Sequence, residues 1–112
     1  MEAIPNDPIV VLVTASSADE ATRIAEMLIS KQLAACVQIL PAMTSIYAWK
    51  GEVQRDQENL LLAKSTRVKF DEFEREVRAL HSYETPEIIA LPIVAGSEAY
   101  LKWLANSSLE GS

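Results

Sequence analysis

The stretch AACVQILPAMTSIYAWKGEVQRDQENLLLAKS, Ala34 to Ser65, decides the fold because it reads as one long hairpin. A strand begins near Ala34, and Pro41 then interrupts it. Proline cannot donate to a strand ladder, so a bulge, a bend or an edge position is predicted there. The strand resumes through Ser45, Ile46, Tyr47 and Trp49, and Lys50-Gly51 supplies the turn. Glu52 to Ser65 runs back as the next strand, polar in its first half and apolar at Leu60, Leu61 and Leu62. About fifteen residues per limb at ~3.3 Å each make roughly 50 Å, whereas a domain of this size has a radius of gyration near ~13 Å. The hairpin must therefore overreach its own domain.

Working outward, Pro8 to Ala15 carries the β-branched run IVVLV and reads as a buried strand. Ser17 with Glu20 has capping-box spacing, and Ala21, Ile24, Ala25 and Leu28 recur at helical intervals until about Gln32. Beyond the hairpin, Arg67 to His81 is a second amphipathic helix with Phe70, Phe73, Val77 and Leu80 on one stripe. The ion-pair spacings Asp71 to Arg75 and Glu74 to Arg78 lie on its outer side. Its acidic residues Asp71, Glu72, Glu74 and Glu76 read as a solvated face. Ser82 to Pro86 ends this helix, and Ile88 to Val94 is a fourth strand. After Gly96, Ser97 caps a short terminal helix carrying Tyr100, Leu101, Trp103 and Leu104. The order is the βαββαβ pattern of an α+β, ferredoxin-like sandwich, with one extra helix at the end. The 112 residues, 1–112, are read as a single domain.

Helices of such a sandwich cover only one face of the sheet, yet the first and fourth strands are apolar on both. Something else must cover the second face, and a further copy of the chain is the simplest candidate. Pairing between subunits would also protect the strand edges of Glu52 to Asn59.

The net charge of −6 at pH 7 repels phosphate backbones, and the ten Lys and Arg residues are scattered, so no nucleic acid is expected as a partner. No apolar run approaches the ~20 residues of a membrane span, so no membrane is expected either. Met1 to Pro8 lacks a basic leader region and there is a single cysteine, which together suggest a cytoplasmic protein. Only three glycines occur and none forms a phosphate-cradling loop, and no nucleophile, base and orienting acid can be named. A non-enzymatic role is expected.

Four segments in order resemble one family: LAACV at Leu33 to Val37, SIYAWKG at Ser45 to Gly51, HSYETPE at His81 to Glu87, and YLKW at Tyr100 to Trp103. Together they are similar to the CutA proteins, which share a trimeric ferredoxin-like architecture with the PII signalling proteins. The resemblance implies a stable homotrimer joined by strand pairing, and a role in divalent-cation tolerance with copper as the metal. It also implies copper ligands from a cysteine in the first strand and from paired histidines ahead of the Tyr-x-x-Pro-Glu segment. This chain has Val13 in that strand and Leu80 beside His81, so two soft donors are missing.

The metal-ligand candidates are therefore His81, Glu84, Glu87 and Cys36, holding copper or another divalent cation weakly. His81, the one histidine, is open between a ligand role and a helix end where its ring meets free carbonyls. Glu84 and Glu87 either bind a cation or only shape the approach to the fourth strand. Cys36 reads as a small, enclosed hydrophobe or, alternatively, a ligand or redox group. Tyr47 and Trp49 either stack on a ligand or pack between subunits. The alternative to a metal role is a PII-like module that takes a small molecule or a protein at clefts between subunits; a scaffold without ligand is the third reading.

Overall fold

The computed structural model describes residues 7–107; residues 1–6 and 108–112, with most of the opening segment read above, lie outside the described residues. In chain order the elements are β1 (Pro8–Ala15), α1 (Ala18–Ser30), β2 (Cys36–Trp49), β3 (Glu52–Thr66), a 3-10 turn (Arg67–Lys69), α2 (Phe70–Leu80), β4 (Ile88–Pro92) and α3 (Glu98–Asn106). The strands form one antiparallel sheet in the order β2-β3-β1-β4. This is the ferredoxin-like α+β arrangement that the alternation of elements predicts.

Strand periodicity sorts the sheet into two faces. Ile9, Val11, Val13 and Ala15 of β1 pair with Ser65, Ala63, Leu61 and Asn59 of β3, and all are buried. Against this face lie Ala21, Ile24 and Leu28 of α1 and Phe73 and Val77 of α2, which complete the core. The other face carries Val10, Leu12, Leu62, Leu40, Ile89 and Leu91 at paired register positions. There α3 lies against β3 and β1, and its Leu104 is buried without belonging to the helix-side core. Beyond α3 this second face is uncovered, with Leu40, Ile89 and Leu91 each about half exposed.

Where elements end, the cause is local. The first helix stops two residues before the predicted Gln32 because Gln32 takes a left-handed φ of 59°. Its N–H reaches Ile29 O at 3.0 Å and that of Leu33 reaches Leu28 O at 2.8 Å, the double bond of a Schellman cap. Glycine is the usual residue at that position, so Gln32→Gly should raise unfolding stability by about 0.5–1 kcal/mol, measured by denaturant titration. The predicted helix at Arg67 starts as a 3-10 turn, and the Arg67 N–H bonds Asp7 O at 2.9 Å. At the other end His81 leaves the helix with extended φ and ψ of −74° and 145°. The fourth strand ends at Pro92, earlier than the predicted Val94, and Val94 is 92% exposed.

Pro41 produces the expected bulge. Leu40 pairs with Leu60 but Met43 pairs with Glu58, so Pro41 and Ala42 together oppose Asn59, with Ala42 at a φ of 60°. The extra residue moves odd-numbered Ser45, Tyr47 and Trp49 onto the face that Leu40 occupies before it. Lys50 and Gly51 both have positive φ, 51° and 79°, and close a two-residue type I′ turn. The described chain is 45 Å long and only 23 Å across its shortest axis, with a radius of gyration of 14.8 Å. The hairpin does overreach the body.

Candidate functional site

Two buried polar residues set the geometry behind the site. Glu20 follows the Ser17 cap, whose hydroxyl accepts the Glu20 N–H at 3.1 Å. Its carboxylate then accepts the Ser16 N–H at 2.8 Å and the Ser16 hydroxyl at 2.9 Å, while its other oxygen accepts the Ser82 N–H at 2.7 Å. Burial pushes this carboxyl up, but the bonds from Ser16 and Ser82 outweigh it and hold the pKa at about 2. The result is an anion that staples the start of α1 to the turn after α2.

His81 is the second. Its fully buried ring points at β1, where Nε2 lies 2.6 Å from Thr14 O. A carbonyl only accepts, so Nε2 carries the proton, and Nδ1 accepts the Tyr83 N–H at 3.0 Å. Both nitrogens are engaged by backbone in the neutral ring. Nδ1 also lies 3.7 Å from a Glu20 oxygen, but in this tautomer the approach is not an ion pair. The ring thus turns inward to β1 instead of meeting the last carbonyls of its own helix.

In front of this pair, the turn from Ser82 to Glu87 faces the outer hairpin across a cleft of about 850 Å³. Aromatic rings line it from both sides: Tyr47 and Trp49 from β2, and Tyr83 from the turn. The Tyr83 ring is tilted against His81 with centroids 4.9 Å apart, and its hydroxyl donates to Glu58 at 3.0 Å. Burial first, then the Glu58 bond, push the Tyr83 phenol up to about 12. The Tyr47 hydroxyl donates to Asp56, and that bond raises its pKa too. Asp56 and Glu58, two apart on β3, therefore share a face and bring carboxylates to the cleft, joined by Glu84 and Glu87. Among the described residues, no lysine or arginine lines it.

The sequence candidates separate in space. Glu84 and Glu87 line the cleft, and His81 stands behind it with its ring closed off. Cys36 opens β2 opposite Lys64, whereas Thr14, the partner of His81, sits opposite Leu60. Those rungs are four residues, ~13 Å, apart along β3. Cys36 is half-buried rather than enclosed, near enough to Tyr100 to raise its phenol after burial does. Among the described residues, no three of His, Cys, Asp and Glu group closely enough to hold a metal ion. Thr14, Glu20, Asp56 and Glu58 were not singled out as site residues by sequence; the alternating acids at 56 and 58 were the available signal.

Residues 9–107 match the family described as CutA1 divalent ion tolerance protein. The chain belongs to this family. It is 50% identical over 99 residues to the divalent-cation tolerance protein CutA of Thermus thermophilus, covering 88% of this chain and 96% of that one. A solved CutA1 structure from the same organism superposes with a TM-score of 0.88, covering 90% of this chain and 98% of the other. Rice CutA 1, described as chloroplastic, is 46% identical over 102 residues, 91% of this chain but 58% of its own length. The chain likewise spans little more than half of the Arabidopsis, mouse and human CutA proteins. The Archaeoglobus fulgidus CutA structure, with a TM-score of 0.84 and 41% identity over 87% of this chain and 94% of that one, is described as periplasmic.

These CutA relatives correct the cytoplasmic expectation. Members described as chloroplastic and as periplasmic belong to the same family. A lone cysteine has nothing in its own chain to oxidise with, so it does not mark a compartment. Among the described residues no helix is long and apolar enough to cross a membrane. Where the resemblance implied a cysteine ligand, this CutA chain has Val13, which is fully buried on the helix side of the sheet.

Proposed function

We propose that the chain is a single domain acting as a homotrimer in divalent-cation tolerance, taking up cations weakly and reversibly through the carboxylates of the cleft, without catalysis. The observation that carries this reading is the cleft itself: four carboxylates at one concave surface, with no lysine or arginine among the described residues that line it. The donor chemistry supports one class of ion. His81 has no free nitrogen and Cys36 is remote, so oxygen remains, which favours hard cations such as Mg²⁺ or Mn²⁺ over copper. Glu84 and Glu87, on the exposed turn, are the first ligands, with Asp56 beside them. Among the described residues no three donors converge in one chain, so affinity is low and a neighbouring subunit completes the shell. Calorimetry with MnCl₂ should give weak, saturable binding that Glu84→Gln/Glu87→Gln removes; unchanged binding in that double variant would end the proposal.

The trimer reading draws on the uncovered apolar face and on Val53, 64% exposed at the end of the hairpin. Light scattering at micromolar concentration should give three times the 12.4 kDa chain mass. A single-chain mass would refute it.

A further inference from the structure

Metal uptake uses the carboxylates of the cleft and leaves its aromatic rings without a role. A hydrated metal ion gains little from a ring face. An alkylammonium group gains from both surfaces, since the ring quadrupole attracts the cation while the apolar face covers its methyl or methylene groups. Tyr47 and Tyr83 are each anchored by a hydroxyl bond to a carboxylate, Asp56 and Glu58, so the rings are held in place beside the negative charge. The Trp49 indole already attracts a cation: the Lys50 ammonium lies 6.0 Å from its ring centroid, at the outer limit of such a contact. The cleft of about 850 Å³ is far larger than one ion needs and falls in the size range of small-molecule sites.

The geometry points to an organic cation as a second ligand class for this cleft, an alkylammonium compound seated on Trp49 and Tyr47 with its charge met by Asp56 and Glu84. This rests on the cleft being the ligand site, as read above, but not on metal uptake. The ligand displaces the Lys50 ammonium from the indole and needs no rearrangement of the buried Glu20 and His81 pair.

The test titrates the full chain with choline chloride and, separately, with 3,3-dimethylbutan-1-ol, which has the same shape without the charge. Tryptophan fluorescence and calorimetry report binding, and MnCl₂ is titrated in parallel. Choline should saturate in the millimolar range and the neutral isostere should bind at least about tenfold more weakly, as expected for a cation–π contact backed by carboxylates. Trp49→Ala should weaken choline about tenfold while leaving the manganese titration within about twofold, because Trp49 is not a metal donor. Light scattering confirms that the variant keeps the wild-type mass, and the choline–isostere comparison on wild type stands whatever the variant does. Equal binding of the two compounds, no binding of choline, or choline binding indifferent to Trp49→Ala would overturn the inference. Failure of choline with manganese intact overturns this inference alone; failure of both overturns the cleft as a ligand site.

Discussion

Glu20→Ala is expected to lower the unfolding free energy by about 3–4 kcal/mol, because hydrogen bonds to a charged group contribute roughly 1.5–3 kcal/mol each, while the part-buried donors left on Ser16 and Ser82 partly rehydrate. The variant strands the Ser16 N–H, the Ser16 hydroxyl and the Ser82 N–H, and separates the α1 start from the turn after α2. Acid sensitivity gives an independent reading of the same residue. The folded pKa is depressed from the ordinary 4.5 to about 2, so the contribution is complete above pH 4.5 and fades as pH falls towards 2. The shift corresponds to about 3 kcal/mol. Glu20→Gln keeps an acceptor but no charge, so its stability should be lower at neutral pH and flatter between pH 4.5 and 2 than that of wild type. Denaturant titrations at fixed chain concentration over that range measure both effects, since the proposed trimer would make stability depend on concentration. Parallel wild-type and Glu20→Gln profiles would refute the assignment.

His81→Ala should cost about 3 kcal/mol, for it leaves Thr14 O and the Tyr83 N–H unpaired in a buried site and removes a packed ring. A histidine serving only as an exposed metal ligand would change apo stability by no more than about 0.5 kcal/mol. Chemical denaturation of metal-free protein separates the two roles. A near-zero change would return His81 to the ligand set.

The fold was legible in the sequence because its signals are local. Capping at Ser17, the Lys50-Gly51 turn and the Pro41 interruption each act within a few residues, and each appears where expected. The overlong hairpin and the doubly apolar strands likewise follow from counting and alternation. Element ends were less legible, since the Gln32 cap and the Asp7 bond to Arg67 depend on backbone conformation rather than on side-chain type. The site was legible only in part. Glu84 and Glu87 lie in a short acidic turn that sequence marks, but the partners of Glu20 and His81 are 62 and 67 residues away. No spacing rule connects such pairs, and a capping-box Glu looks the same whether or not it also reaches a distant turn. Tyr47 and Trp49 join the acid face only because the bulge shifts the alternation by one.

The central claim, that carboxylates of the cleft and not His81 or Cys36 receive the divalent ion, is tested most directly by anomalous scattering from crystals soaked in MnCl₂. The expected map has a manganese peak beside Glu84 and Glu87 in every subunit, with the His81 ring still bonded to Thr14 O. A peak on His81 or Cys36, or none in the cleft, would contradict it.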